Sequence, residues 1–209
     1  MRITKFGHAA VRIERDGAAL VIDPGMFTEP EAVDGVAAVL VTHEHPDHLD
    51  AERLRRAEVP VFAGVGVAEA LREQAPDVAE RVQVVQEGDE VNAAGMRVTV
   101  HGEQHAVIHD DIPRIVNTAF CVEDEVFHPG DSWTAPPHPV PTLLVPVHAP
   151  WMRVAEAVDF ARAHASRTAL AVHDGLLNDN GLAVTGRVIG GLLESSGQEY
   201  RRIAPGDDL

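Results

Sequence analysis

The segment Thr42–Asp50 (THEHPDHLD) constrains this chain more than any other part of its sequence. It directly follows the continuous apolar run Val36–Val41, which is typical of a strand buried on both faces. Within a few positions the segment places three histidines and one aspartate: His43, His45, Asp47 and His48. Residues two apart in an extended chain point the same way, and the turn at Pro46 brings the last two toward a second position nearby. This spacing predicts a metal site suited to zinc, and also to manganese, iron or nickel.

Three more residues of ligand type occur later in the chain. Each comes shortly after a predicted strand: His105 after Met96–His101, Asp131 after Val126–His128, and His173 after Thr168–Val172. Because sites on open α/β sheets collect at strand ends, we expect these side chains to lie near the histidine motif. His101 and His109 remain alternatives to His105 as a ligand, although the short turn after the strand favours His105.

The order of elements along the chain predicts an α/β fold. Short strands rich in Val and Ile open the sequence, with Asp16-Gly17 as a hairpin turn. A helix capped by Asp50 follows the histidine motif, and helical periodicity returns at Arg153–His164 and Leu182–Glu194. Strands followed by strand–helix units, twice over, predict a sandwich of two mixed sheets covered by helices. The length of 209 residues predicts a single domain over residues 1–209.

The composition limits which binding partners and which cellular compartment we expect for this chain. The 17 basic and 33 acidic side chains give a net charge of −16, which opposes binding to nucleic acids and anionic membranes. Cys121 is the only cysteine of the sequence, so no internal disulfide and no thiolate zinc site can form. No apolar run approaches the ~18 residues of a membrane span. The first residues lack the apolar segment of a signal peptide, so we expect a cytoplasmic protein.

The sequence resembles the metallo-β-lactamase superfamily of metal-dependent hydrolases. The matching motifs occur in the family's order between Ile3 and Asp174, and they are ITKFGHAAVRIE, IDPG, THEHPDHLD, HPGDS and AVHDG. The most similar branch is the compact one that includes ascorbate-6-phosphate lactonase-like proteins. The resemblance implies a four-layer αββα sandwich, in which two mixed β-sheets are flanked by helices.

The resemblance also implies a dinuclear metal site. It assigns two ligand sets with Asp131 as the bridge: His43, His45 and His105 for the first ion, and Asp47, His48 and His173 for the second. Two divalent ions, zinc in the first place and Mn2+ or Fe2+ as alternatives, would hold a hydroxide that is nucleophilic at neutral pH. Asp47 would also orient that hydroxide or accept its proton.

Several other side chains are candidates for roles near the site. His8 could orient a ligand or contact substrate, or it could be a buried histidine bonded to a carbonyl. Asp23 could accept a hydrogen bond from a ligating histidine or cap a turn. His148 is a candidate general acid or pocket residue, and Trp133 and Trp151 could wall the pocket or pack in the core.

The sequence therefore predicts a metal-dependent hydrolase of a small, ester-like substrate such as a lactone or a phosphorylated metabolite. The substrate can be anionic, because two bound cations add local positive charge. Arg114 lies on a loop predicted to cross the site, where solvent exposure is the default expectation and substrate recognition the alternative. Two other functions remain open: a phosphodiesterase or nuclease of the same fold, and a metal-binding or sensor protein without turnover. A homo-oligomer is compatible with the sequence.

Overall fold

Two β-sheets pack face to face in the computed structural model, which describes residues 1–164 and 166–209. The first sheet contains six strands in chain order: β1 (Arg2–Lys5), β2 (Val11–Arg15), β3 (Ala18–Ile22), β4 (Ala38–Val41), β5 (Val61–Ala63) and β6 (Val82–Val84). Strands β1 to β3 are antiparallel and β3 to β6 are parallel. Asp16 and Gly17 form the β2–β3 turn with positive φ angles, as the hairpin signal predicted.

The second sheet repeats this plan with seven strands, again adjacent in chain order: β7 (Glu90–Ala93), β8 (Met96–His101), β9 (Ala119–Val122), β10 (Val126–His128), β11 (Thr142–Pro146), β12 (Thr168–Val172) and β13 (Glu199–Arg201). Strands β7 to β10 are antiparallel and β10 to β13 are parallel. Each half of the chain therefore builds an antiparallel meander and then a run of parallel strands.

Helices cover the outer faces of both sheets. In chain order they are the 3-10 helix Pro30–Val33, α1 (Ala51–Ala57), α2 (Val65–Gln74), α3 (Pro76–Ala79), α4 (Val154–His164) and α5 (Asp179–Glu194). Helix α1 begins where predicted, because the Asp50 carboxylate accepts hydrogen bonds from the main-chain N–H groups of Glu52 and Arg53. Among the described residues, none of the helices combines the length and the apolar character needed to cross a membrane.

The apolar residues separate into layers that match this arrangement. Inward-facing side chains such as Ile13, Leu40 and Phe120 are fully buried between the sheets. One outer cluster packs α1, α2 and α3 on the first sheet, and another packs α4 and α5 on the second. This order of layers confirms the predicted αββα sandwich.

Some predicted elements were wrong in extent or missed. Helix α5 starts at Asp179 rather than Leu182, because the Asn178 side chain caps it by accepting from the Gly181 N–H at 2.9 Å. Helix α4 starts one residue later than predicted. Strands β7 and β13 were missed, because both are short edge strands with polar, largely exposed side chains and no apolar run.

Candidate metal centre

Loops from both sheets converge at one edge of the sandwich and bring all seven predicted ligands together. The ligand atoms form three overlapping groups, and the atoms within each group lie within 4.8 Å of one another: His43, His45 and His105; Asp47, His48 and His173 together with His8; and His43, His48 and Asp131. The first two groups match the two ligand sets that the family resemblance implies. His8 is an additional member of the second group.

Asp131 lies at the middle of the cluster. Its Oδ1 is 3.2 Å from Nε2 of His48, and its Oδ2 is 3.5 Å from Nε2 of His105 and 3.1 Å from Nε2 of His173. Its Oδ2 also accepts a hydrogen bond of 2.8 Å from the indole Nε1 of Trp151. The carboxylate is thus in reach of ligands from both sets, which is the position that a bridging residue requires.

The polar atoms of this cluster fit a metal ion. Four of them are buried and have no hydrogen-bond partner within the described part of the chain: Nε2 of His48, His105 and His173, and Oδ1 of Asp131. A buried polar atom without a partner costs about 1–3 kcal/mol, so four at one place require a common explanation. Imidazole nitrogens and carboxylate oxygens are the donors that zinc, manganese and iron accept. The residues present therefore fit a divalent cation.

The orientation of the imidazoles supports the same interpretation. Three of them direct Nδ1–H to an oxygen acceptor: His105 to the Ala106 carbonyl at 2.6 Å, His173 to the His148 carbonyl at 2.5 Å, and His48 to Asp23 Oδ2 at 2.7 Å. Carbonyl and ionised carboxylate oxygens only accept, so Nδ1 carries the proton in each ring. Nε2 is then the atom that faces the cluster, as in ligating histidines oriented by a second hydrogen bond.

Asp23 is fully buried and forms hydrogen bonds with residues of the histidine motif. Besides His48, its carboxylate accepts hydrogen bonds of 2.8 Å from both the main-chain N–H and the hydroxyl of Thr42. The Thr42 hydroxyl also lies 3.0 Å from Nδ1 of His43. Asp23 thereby connects two imidazoles of the motif, and it does so with a left-handed backbone (φ +51°) in place of the predicted strand end.

His8 is buried and holds Asp47. Its Nδ1 accepts from the Gly175 N–H at 3.0 Å, so Nε2 carries the proton and donates it to Asp47 Oδ2, also at 3.0 Å. Burial is the main cause that lowers the pKa of His8 to about 4, against the opposing hydrogen bond to Asp47, and the ring is neutral at pH 7. His8 and His173 both have φ near +60°, and the His173 N–H donates to the His8 carbonyl.

The cluster carries a potential that attracts cations. Burial disfavours a charged His173, but the Asp131 carboxylate outweighs burial and raises the pKa of His173 to about 9. The pKa of His48 is also raised well above its usual value, because Asp131 and Asp23 together outweigh burial. Partial burial opposes the ionised form of Asp47, yet the proximity of His173 and His8 lowers its pKa. A divalent cation would compete with the protons held here.

The open side of the cluster is formed by residues from both halves of the chain. His45 and Asp47 are half-buried, and the His148 side chain is exposed. The contact of His148 with the site runs through its carbonyl, and the structure shows no hydrogen bond from its imidazole to the described cluster residues. The indole of Trp151 lies against His105, with ring centroids 6.0 Å apart, and against Trp133 at 5.1 Å.

Of the three candidates for the ligand after β8, the structure brings His105 into the cluster. His101 lies at the end of β8 and its Nε2 approaches Thr99 Oγ1 at 2.8 Å. His109 is exposed and its Nδ1 accepts from the Asp111 N–H. The hydrogen bond from Trp151 to Asp131 had no signal in the sequence, which left Trp151 equally open to a pocket or a core position.

Two glycines allow the loops to approach so closely. A Cβ on Gly25 would lie 2.0 Å from the Asp47 carbonyl oxygen. Gly130 has φ +62°, and a Cβ there would lie 2.3 Å from Asn117 Oδ1 and 2.8 Å from Thr42 Cβ. The glycines of IDPG and HPGDS therefore set the spacing between the loops that carry Asp47 and Asp131.

Known proteins resemble this chain in sequence. The family model described as the beta-lactamase superfamily domain matches residues 2–173. Protein Rv0786c of Mycobacterium tuberculosis is 37% identical over 186 residues, which cover 85% of each chain. The UPF0173 metal-dependent hydrolase MJ1163 of Methanocaldococcus jannaschii is 30% identical over 139 residues, covering 62% of this chain and 60% of that protein.

A solved structure shows the same fold. Igni18, a metallo hydrolase from Ignicoccus hospitalis, superposes with a TM-score of 0.75 at 19% identity, covering 100% of this chain and 97% of that chain. The family match spans most of the chain and contains all seven residues of the cluster. The chain therefore belongs to the metallo-β-lactamase superfamily, as its motifs implied.

Proposed function

We propose that this chain, a metal-dependent hydrolase of the metallo-β-lactamase fold, works with two divalent ions, zinc in the first place and Mn2+ or Fe2+ as alternatives. The observation that carries the proposal is the convergence of three imidazole Nε2 atoms and one carboxylate oxygen that are buried without hydrogen-bond partners among the described residues. The ligand sets are those of the two main groups, with Asp131 between them: His43, His45 and His105, and Asp47, His48 and His173.

When bound, the ions would polarise the bond to be cleaved and lower the pKa of water toward neutrality. The chain's own residues orient these ligands and handle the protons. Asp23 and His8 act as positioning residues, because they hydrogen-bond His48 and Asp47 respectively. Asp47 Oδ2 is engaged by His8, which leaves Oδ1 to accept a proton from the attacking water.

We assign the proton donor for the leaving group to His148. Its carbonyl is fixed by His173, while its imidazole is exposed on the open side of the cluster. The variant His148→Ala keeps that carbonyl and removes the imidazole. A general acid contributes about 10²–10⁴-fold, so a fall of that size in kcat supports the assignment and an unchanged kcat contradicts it.

The substrate we propose is a small molecule with an ester-like bond, such as a lactone or a phosphorylated metabolite. The net charge of −16 disfavours a polyanionic substrate such as a nucleic acid. The site opens beside half-buried His45 and Asp47, where a small ligand can reach the cluster. Relatives such as MJ1163 carry the name metal-dependent hydrolase, which supports hydrolysis as the reaction class.

A chelation experiment on the purified full chain tests this function. The protein is assayed on matched chromogenic esters, lactones, phosphomonoesters and phosphodiesters, before and after treatment with a chelator. We expect hydrolysis of esters or lactones that chelation abolishes and zinc or manganese restores. Preferential phosphodiester cleavage would favour the phosphodiesterase alternative. Metal binding without turnover on any of these substrates would contradict the hydrolase.

A further inference from the structure

A cavity of about 500 Å3 adjoins the candidate metal centre and is lined mainly by loop residues. Trp151 forms one wall, and the same indole donates to Asp131 and lies against His105. Trp133 lies against Trp151, with ring centroids 5.1 Å apart, and Arg114 and Gln104 also line the cavity. Trp151 therefore connects the cavity to the candidate centre, and the two tryptophans of the chain both line the cavity.

Arg114 also lines a second cavity of about 350 Å3, together with Gln104, Glu87 and Glu103. The Arg114 Nε donates to the His105 carbonyl at 2.8 Å, so the guanidinium is held against the loop that carries a candidate ligand. Within the described residues, no carboxylate lies within ion-pair distance of Arg114, and its Nη1 and Nη2 atoms make no hydrogen bond. The side chain thus offers free donors beside the cluster.

Arg114 is exposed, and what distinguishes it from another unpaired arginine such as Arg72 is its position beside the loop that carries His105. The sequence has 33 acidic side chains against 17 basic ones, and other arginines such as Arg97 and Arg153 are paired with carboxylates. Among the described residues, Glu156 is the one carboxylate that lines the same cavity; it accepts from the Arg153 main-chain N–H and lies 3.1 Å from the Arg153 guanidinium. Its negative charge is therefore offset by Arg153.

Arginine recognises planar or tetrahedral oxyanions through two parallel N–H donors, which gives both energy and geometry. The indole wall offers apolar surface for the remainder of such a ligand. Val107 adds to that surface at the rim, where its side chain is exposed. The cavity therefore combines one anchor for a negative charge with a surface for an apolar or ring-shaped group.

We propose that the substrate of this site is a small organic anion whose carboxylate or phosphate group binds the Nη donors of Arg114. Its apolar or ring portion lies against Trp151 and Trp133, and the bond to be cleaved reaches the centre at Asp131. This inference rests on the proposed hydrolase function and specifies its substrate class. Arg114 is a specificity-determining residue in this scheme.

Fluorescence tests the binding directly, because both tryptophans of the chain line the cavity. Phenyl phosphate and benzoate are titrated into the metal-loaded protein, with benzyl alcohol as the neutral analogue. We expect saturable changes with the anions and a dissociation constant about tenfold higher in Arg114→Gln, the loss of one charge-assisted contact. Arg114→Lys keeps the charge and is expected to lie between the two. Arg72→Gln, an exposed arginine on α2, is the matched control and is expected to bind normally.

The two probes distinguish a phosphate from a carboxylate. If Arg114→Gln loses affinity for only one of the two anions, the group of that anion is the one that Arg114 binds. Equal affinity of Arg114→Gln and the unmodified protein for both anions would overturn the inference. A parallel assay compares an anionic and a neutral ester, and we expect a higher KM in Arg114→Gln for the anionic ester alone. Arginine-dependent binding without hydrolysis of any ester would contradict the proposed function and leave the anion site standing.

Discussion

The two halves of the sandwich contribute to the candidate centre in different ways. The first half supplies four ligand-type residues from one loop after β4: His43, His45, Asp47 and His48. The second half supplies three, each from a separate loop after β8, β10 or β12: His105, Asp131 and His173. One strand end and one turn therefore position the four residues of the first half locally, whereas the three residues of the second half come together only when the whole second sheet has formed.

The halves also differ in how their histidines are oriented. In the first half, side chains hold the rings: Asp23 holds His48, and Thr42 lies against His43. In the second half, main-chain carbonyls of Ala106 and His148 hold His105 and His173. A single substitution can thus remove the support of a first-half ligand, while no side-chain truncation at position 148 removes the support of His173.

The largest effect is expected at Asp131, where the halves meet. Asp131→Asn removes the negative charge that lies within 3.5 Å of three imidazoles. We expect kcat/KM to fall by more than the roughly 10–100-fold typical of a change one layer from the metal. Steady-state kinetics on the ester found in the chelation screen measures this, with circular dichroism to show that the fold is kept. Activity within tenfold of the unmodified protein would mean that Asp131 does not connect the two ligand sets.

A comparison of three histidines tests the contribution of the second half alone, whose ligand-type residues come from separate loops. His105→Ala removes a buried imidazole of the cluster, and we expect loss of one bound ion and of activity. His101→Ala and His109→Ala are the matched controls, because neither side chain contacts the cluster. Kinetics and metal analysis of the three variants check the assignment. An inactive His101→Ala protein that remains folded would transfer the ligand role to His101.

A smaller effect, on metal affinity, is expected from the hydrogen bonds that orient the imidazoles, because a side chain holds His48 and a main-chain carbonyl holds His173. Asp23→Asn weakens the acceptor of His48 Nδ1–H, and we expect metal affinity to fall about 10–100-fold. His148→Ala keeps the carbonyl that holds His173, so metal affinity is expected to stay the same. Competition with a chromophoric chelator measures both affinities. Equal losses in the two variants would remove the proposed distinction between side-chain and main-chain support.

The smallest predicted effect concerns a hydrogen bond between the halves. His128 at the end of β10 donates from Nε2 to the Ala9 carbonyl at 3.0 Å, and burial is the main cause that lowers its pKa below 6.5. The unfolded chain binds the proton more readily, so this contribution to stability is full above pH 6.5 and is lost as the pH falls. Urea unfolding of metal-free protein should show a weaker pH dependence over pH 5–7.5 in His128→Gln.

His138 is the matched control for that experiment. It is exposed and pairs with Asp124 at 3.0 Å, and its bonds to the Pro139 carbonyl and Asp124 raise its pKa. A raised pKa stabilises the fold below pH 6.5 and loses this contribution as the pH rises, so His138→Gln should change the slope in the opposite direction. The same sign of change in both variants would contradict the assignment of His128 as a buried neutral histidine.

The same contrast explains what the sequence could predict. The contiguous motif and its apolar strand predicted the four ligand-type residues of the first half, and apolar runs predicted most strands of both sheets. The sequence could also place His105, Asp131 and His173 at strand ends. It could not predict that Trp151 donates to Asp131 or that the His148 carbonyl holds His173, because these contacts depend on how distant loops pack. Edge strands β7 and β13 were missed for a related reason, since their pairing and not their side chains makes them strands.

The central claim is that both halves of the molecule build one two-metal centre. Metal content of the full chain, purified without added metal and then loaded with zinc, tests it most directly when His45→Ala and His173→Ala are measured beside it. We predict about two ions per unmodified chain and about one in each variant, because each substitution removes a ligand of a different set. One ion in the unmodified chain, or the loss of both ions in His45→Ala and of none in His173→Ala, would contradict the claim.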